Sequence, residues 1–172
     1  MLETLIGRGR RRSTGVTAPY SQWRFDFVNL QRAAITIPEI RLMDTEGQVI
    51  TQGHQANATA IGQYNASLSP PKAFDGVIPP SKDTLSHWQY NGSTFNTWLA
   101  IWIPVARPIA EYRIYMPVDN RYPVGETFQT YGPASWKLSA RNSSSDPWTI
   151  VDERTGYTTP KWVERVEHQF IL

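Results

Sequence analysis

The heptapeptide QWRFDFV, Gln22 to Val28, limits what this chain can become more than any other stretch. Trp23, Phe25 and Phe27 fall on one side of it, and Arg24 and Asp26 on the other. That two-residue period belongs to a half-buried β-strand. No segment of 12 or more residues keeps a helical period with caps at both ends. Proline and glycine together number 24 of 172 residues, and aromatics make up 12%, seven of them tryptophans. Many turns and many rings in one chain favour an all-β domain over a helical one.

Further strand runs support this reading. AITIPEIRLM (34–43) carries Ile35, Ile37, Ile40 and Leu42, with Pro38 marking a bulge or edge position. WLAIWI (98–103) is a nearly continuous apolar run, as expected of a strand buried on both sides. IAEYRIYM (109–116), SWKLSA (135–140), WTIVD (148–152) and EHQFIL (167–172) complete the set. Thr45-Glu46-Gly47 and the Ser-rich residues 142–146 read as turns, and 51–71 and 117–133 as long loops. Short strands between irregular turns predict a β-sandwich whose end loops are the natural place for binding. The length suits one domain, expected over 20–172, preceded by a basic arm over 1–19.

The net charge of +2 belongs to that arm. Arg8, Arg10, Arg11 and Arg12 are four of the 17 basic residues and Glu3 is one of the 15 acidic ones, which leaves 13 basic against 14 acidic over 13–172. Such an arginine run can meet nucleic acid or an acidic surface, or it can be a solvated chain end. The absence of cysteine excludes disulfides, thiolate metal sites and thiol nucleophiles. No run approaches the roughly 18 apolar residues of a membrane span. The arginines near the start have no long apolar segment behind them, so no secretory signal is expected.

Catalytic signatures are missing from the sequence. His54, His87 and His168 are isolated, without the close partner of a zinc pair. There is no phosphate-cradling glycine loop and no nucleophile elbow, so an enzyme is not expected. KAFDGVIPPSKDTLSHW (72–88) is the stretch that invites chemistry. Asp75-Gly76 can be a plain turn, because aspartate bonds its own backbone and glycine accepts a positive φ. The same loop also offers Asp75, Thr84 and several carbonyls to a hard cation such as Ca²⁺, which takes six to eight oxygens. It would need one more carboxylate from elsewhere.

The segments AFDG (73–76), T-x-x-x-W (84–88), WLAIWI (98–103), YRIY (112–115), PASWKLSA (133–140), DPWTIVD (146–152) and the closing W-x₇-F-x-L (162–172) together resemble a discoidin, or coagulation factor V/VIII type C, domain. These domains are galactose-binding-like jelly rolls. The N-terminal Y-x-x-W-R-F-D-F…I-P-E-I-R-L (20–42) resembles the strands that usually come last in the family. The order here is therefore similar to the circularly permuted form in bacteriophage tail and virion proteins, an arrangement jelly rolls tolerate when their termini are close. The resemblance implies a structural Ca²⁺ held by Asp75, Thr84 and Glu39. The long insert VIPPSKD makes Asp83 the alternative to Thr84, and an exposed edge charge is the plainer reading of Glu39.

The resemblance also implies two roles. The first is a virion structural protein of the particle surface (tail, baseplate, fibre or capsid decoration), anchored to other virion proteins by Arg8 to Arg12. The second is a carbohydrate-binding module for host-surface glycans, with His87, Tyr90, Asn91, Arg121, Tyr122 and Tyr131 near the loop mouth. Trp88 reads as core, as do Trp23, Trp98, Trp102, Trp136 and Trp148 as core or sheet-face residues. Neither membrane insertion nor nucleic acid is expected of this module.

Overall fold

The computed structural model describes residues 15–29, 34–78, 86–92, 94, 96–116, 132–157 and 166–172. Among these, ten strands follow one another: β1 (Tyr20–Val28), β2 (Ala34–Ile37), β3 (Glu39–Met43), β4 (Ala58–Ala60), β5 (Trp88–Asn91), β6 (Asn96–Arg107), β7 (Glu111–Met116), β8 (Ser135–Arg141), β9 (Thr149–Arg154) and β10 (Val166–Ile171). The only helical elements among the described residues are three single 3₁₀ turns, at Gln55–Asn57, Ala66–Leu68 and Pro70–Ala73.

The strands form three sheets, all paired antiparallel: β4–β6–β1–β8–β9, β10–β7–β3 and β2–β5. The QWRFDFV strand is the middle of the largest. Phe25 faces Leu99 of β6 on one side and Leu138 of β8 on the other. Trp23, Phe25 and Phe27 point inward and are fully buried, while Val28 at the strand's end shares the other face with Gln22, Arg24 and Asp26 and is half-buried. Removing three such rings from water contributes roughly 1.5–3 kcal/mol each.

The two larger sheets face one another through aromatic contacts. Phe25 of β1 meets Tyr112 of β7 edge-on with ring centroids 5.4 Å apart, and Trp136 of β8 meets Phe170 of β10 at 5.0 Å. Phe27 and Trp88 tie the two-stranded sheet to the same core at 6.4 Å. Edge-to-face pairs at these distances add about 0.5–1.5 kcal/mol beyond area burial. Deep in this layer the Trp136 indole N–H donates to the Tyr112 hydroxyl at 2.7 Å. That hydroxyl donates to Asp152 Oδ2 at 2.6 Å, which Arg154 also holds.

Pro38 is where the early run divides. It has no N–H to give a ladder. Before it, Ile37 pairs with Trp88; after it, Glu39 pairs with Tyr115, so the chain passes from one sheet to another at that residue.

Three expectations need correction. Trp98–Ile103 is not buried on both sides: Leu99, Ile101 and Ile103 face the core, while Trp102 is 45% exposed on the other face. Residues 51–71 are more than a loop, since they contain β4 and 3₁₀ turns held by packing on β6 and by Asn65, whose side chain caps Ser67 and Leu68. Trp88–Asn91 forms an extra strand, because the edge of β2 offers partners that no periodicity in WQYN announces.

Candidate functional site

The Pro38 crossing decides what happens to Glu39. As the first residue of β3 its side chain lies on the face it shares with Arg41, opposite Ile40 and Leu42, and is only 2% exposed rather than an open edge charge. The Asp75-Gly76 turn closes over it. Gly76 takes φ +76°, a backbone state that side chains resist, and its N–H donates to Glu39 Oε2 at 3.2 Å. Asp75 Oδ1 accepts from the Val77 N–H at 2.9 Å, which is the self-bonded aspartate turn. Asp75 Oδ2 accepts from the Ser86 hydroxyl at 2.7 Å and lies 3.6 Å from Lys72 Nζ. Arg41 approaches the other Glu39 oxygen at 3.6 Å and reaches onward to Glu167 at 3.0 Å. Burial pushes the Glu39 carboxyl up to about 8; the Gly76 N–H and Arg41 oppose that rise, and the charge of Asp75 adds to it.

The structure therefore brings Glu39 beside the Asp75-Gly76 turn. Asp83 and Thr84 lie outside the described residues. Glu39, Asp75 and Ser86 supply oxygen only, the chemistry a hard cation takes, but those oxygens number fewer than six and several are engaged by N–H, O–H or cationic partners. Among the described residues no group of three or more His, Cys, Asp or Glu side chains gathers. As described, the corner neutralises itself, and the described residues alone do not complete a cation site.

The expected sugar-binding set is divided. His87 is a buried residue, 8% exposed, next to the core residue Trp88. Tyr90 is half-buried on β5, lying so close over Gly92 that any side chain there would collide with its ring. Asn91 is exposed. Arg121, Tyr122 and Tyr131 lie outside the described residues, as do Arg8, Arg10, Arg11 and Arg12. Of the N-terminal segment, Thr17 is tied to the body: its N–H donates to the Ile109 carbonyl at 2.9 Å and its hydroxyl accepts from the Ile109 N–H at 3.0 Å.

A site the sequence reading missed lies on the outer face of the five-stranded sheet. Trp102 of β6, Gln22 of β1 and Arg141 of β8 stand in one cross-strand row. Arg141 donates to Gln22 Oε1 at 2.8 Å and to the Ser144 and Asp146 carbonyls, and stacks over the Trp148 ring at 4.2 Å. Arg24, gripped by Asp26 at 2.5–3.1 Å, lies over Trp148 at 5.3 Å and Trp98 at 5.8 Å. These side chains line a cleft of about 400 Å³. A second cleft of about 390 Å³, bordered by Asp26, Lys137, Glu153 and Ile61, shares Trp98 with it. The signal was present in the polar positions Gln22, Arg24 and Asp26, which place the tryptophans paired with them on the same outer face.

Comparisons with family models, curated proteins and solved structures found no match to the chain. Among the described residues no helix is long and apolar enough to cross a membrane.

Proposed function

We propose that the chain is a non-catalytic binding and assembly module of a bacteriophage virion, a tail, baseplate, fibre or decoration component. In this reading it is a circularly permuted galactose-binding-like jelly roll, held to neighbouring virion proteins by its basic arm. The observation that carries the reading is the place of the first strands. β1 lies between β6 and β8, and β3 lies beside β7. The segments that resemble the family's last strands thus complete both sheets from the front of the chain. The groups with perturbed protonation fit a binding module as well: Glu39 is closed in by Gly76 and Arg41, and burial holds the Tyr112 phenol well above its usual range inside a structural network.

Deleting residues 2–16 tests the anchoring role. The cut leaves the Thr17–Ile109 bonds in place, so the body is expected to keep its unfolding midpoint while incorporation into particles is lost. Unchanged occupancy of the truncated chain in assembled particles removes the arm from the mechanism. A structural cation such as Ca²⁺ belongs to this reading only if Asp83 or Thr84 completes the Glu39–Asp75 corner.

A further inference from the structure

We propose that the outer face of the five-stranded sheet is a glycan-binding site, taking a linear pyranose oligosaccharide laid along β6 from Trp102 to Trp98, where the cross-strand row Trp98, Asp26, Lys137 and Glu153 borders its far end. Positions 98, 100 and 102 share one face of the strand. Ala100 between two indoles leaves a hollow, and four residues of strand set the indoles about 13 Å apart. With an indole at each end the hollow is a furrow, a shape that suits an extended chain better than a single small molecule, and Trp98 also lines the neighbouring cleft bordered by Asp26, Lys137 and Glu153.

The chemistry of the furrow matches the two-sided nature of a sugar ring. The C–H face of a pyranose stacks on an exposed indole such as Trp102. Its hydroxyls need planar hydrogen-bonding groups at the ring edge. Gln22, Arg141 and the Arg24–Asp26 pair provide them in fixed positions. Trp148 is held between two guanidinium groups, so little side-chain freedom is lost when a ligand settles.

Charge decides against the other occupants. Arg24 is neutralised by Asp26, and Lys137 stands 3.7 Å from Glu153. A nucleic acid would lay its phosphates against those two carboxylates. The arginine-rich arm of this chain would meet Arg24 and Arg141. Arg141 alone gives its N–H groups to neutral acceptors rather than to a carboxylate, which leaves the furrow close to neutral with one guanidinium for a hydroxyl or a sugar carboxylate. This inference stands apart from the virion assignment and uses none of the loop residues.

The test uses the full chain on an array of neutral and uronate-bearing oligosaccharides of two to six units, followed by titration of the best-bound one in solution. Affinity is expected to rise with chain length. Trp102→Ala and Trp98→Ala are each expected to raise Kd at least tenfold, with unfolding midpoints measured alongside. Ile171→Ala, on an exposed position of β10 in another sheet, is expected to leave Kd unchanged. Absence of binding at millimolar oligosaccharide overturns the proposal. So does a folded Trp102→Ala protein that binds like the parent, or single-stranded oligonucleotide binding that depends on Trp102. Particle assembly does not enter this experiment, so its outcome is independent of the arm deletion.

Discussion

The two faces of the five-stranded sheet use the same residue type for opposite ends. On the inner face Trp23 and Trp136 are fully buried, Trp23 against Tyr20 and Trp136 against Tyr157 and Phe170. On the outer face Trp98, Trp102 and Trp148 stand among Arg24, Arg141 and Gln22, and Trp102 keeps nearly half its surface in water. Inside, the Trp136 N–H bonds the Tyr112 hydroxyl while the Trp23 N–H is buried without a hydrogen-bond partner among the described residues; outside, guanidinium groups lie over Trp98 and Trp148, and the Trp102 ring stays open to water. The difference shows that aromatic content measures neither core size nor binding surface until the neighbours across the ladder are known.

The largest effect should come from the inner face. Trp136→Ala is expected to cost about 3–5 kcal/mol, the range for emptying a large aromatic site. The loss has two parts: a cavity between Tyr112, Tyr157 and Phe170, and a Tyr112 hydroxyl deprived of the donor at 2.7 Å. Denaturant unfolding with the slope compared to the parent measures it. A cost under about 1 kcal/mol would mean that the inner and outer faces do not differ as described.

The next effect concerns the buried corner rather than either ring face. Glu39 binds its proton up to about pH 8 in the folded chain, against an ordinary 4.5. Between those values the folded state holds more protons than the unfolded one, so this group makes stability fall as pH rises through the window. Relative to Glu39→Gln, the parent is expected to lose roughly 2 kcal/mol from pH 6 to pH 8. Subtracting the variant's profile removes the contribution of every other titrating group. Millimolar Ca²⁺ at pH 8 extends the same measurement. A rise in midpoint for the parent that Glu39→Gln abolishes places a cation at the corner; parallel profiles without any rise leave a self-neutralised carboxyl.

How much of this was legible depended on whether a residue's fate is set along the strand or across it. Trp23, Phe25 and Phe27 were readable because alternation alone assigns their side. Pro38 was readable as an interruption, since a residue without N–H must break a ladder, but its consequence was not: what covers Glu39 after the break is the turn at Gly76, 37 residues further on. β5 stayed hidden because WQYN has no period and takes its order from β2. The run WLAIWI misled for a related reason. Six apolar residues in a row suggest burial on both sides, yet Gln22, Arg24 and Asp26 of the neighbouring strand set the exposed face of Trp102, Ala100 and Trp98. Nothing in the spacing of residues 36 apart would have supplied the place of Glu39 beside the Asp75-Gly76 turn.

The smallest effect on stability is the one that sharpens the comparison most. Trp102→Ala removes as many atoms as Trp136→Ala, but from a ring still 45% exposed. Surface substitutions usually stay within about 0.5 kcal/mol, and the lower strand preference of alanine adds at most about 1 kcal/mol. The bond from the Asn57 side chain goes to the Trp102 carbonyl and survives the change. A cost below about 1.5 kcal/mol, measured beside the Trp136→Ala protein, fits a ring that stability does not require. A cost near that of Trp136→Ala would make Trp102 a structural residue, and the outer face would then need no ligand to account for it.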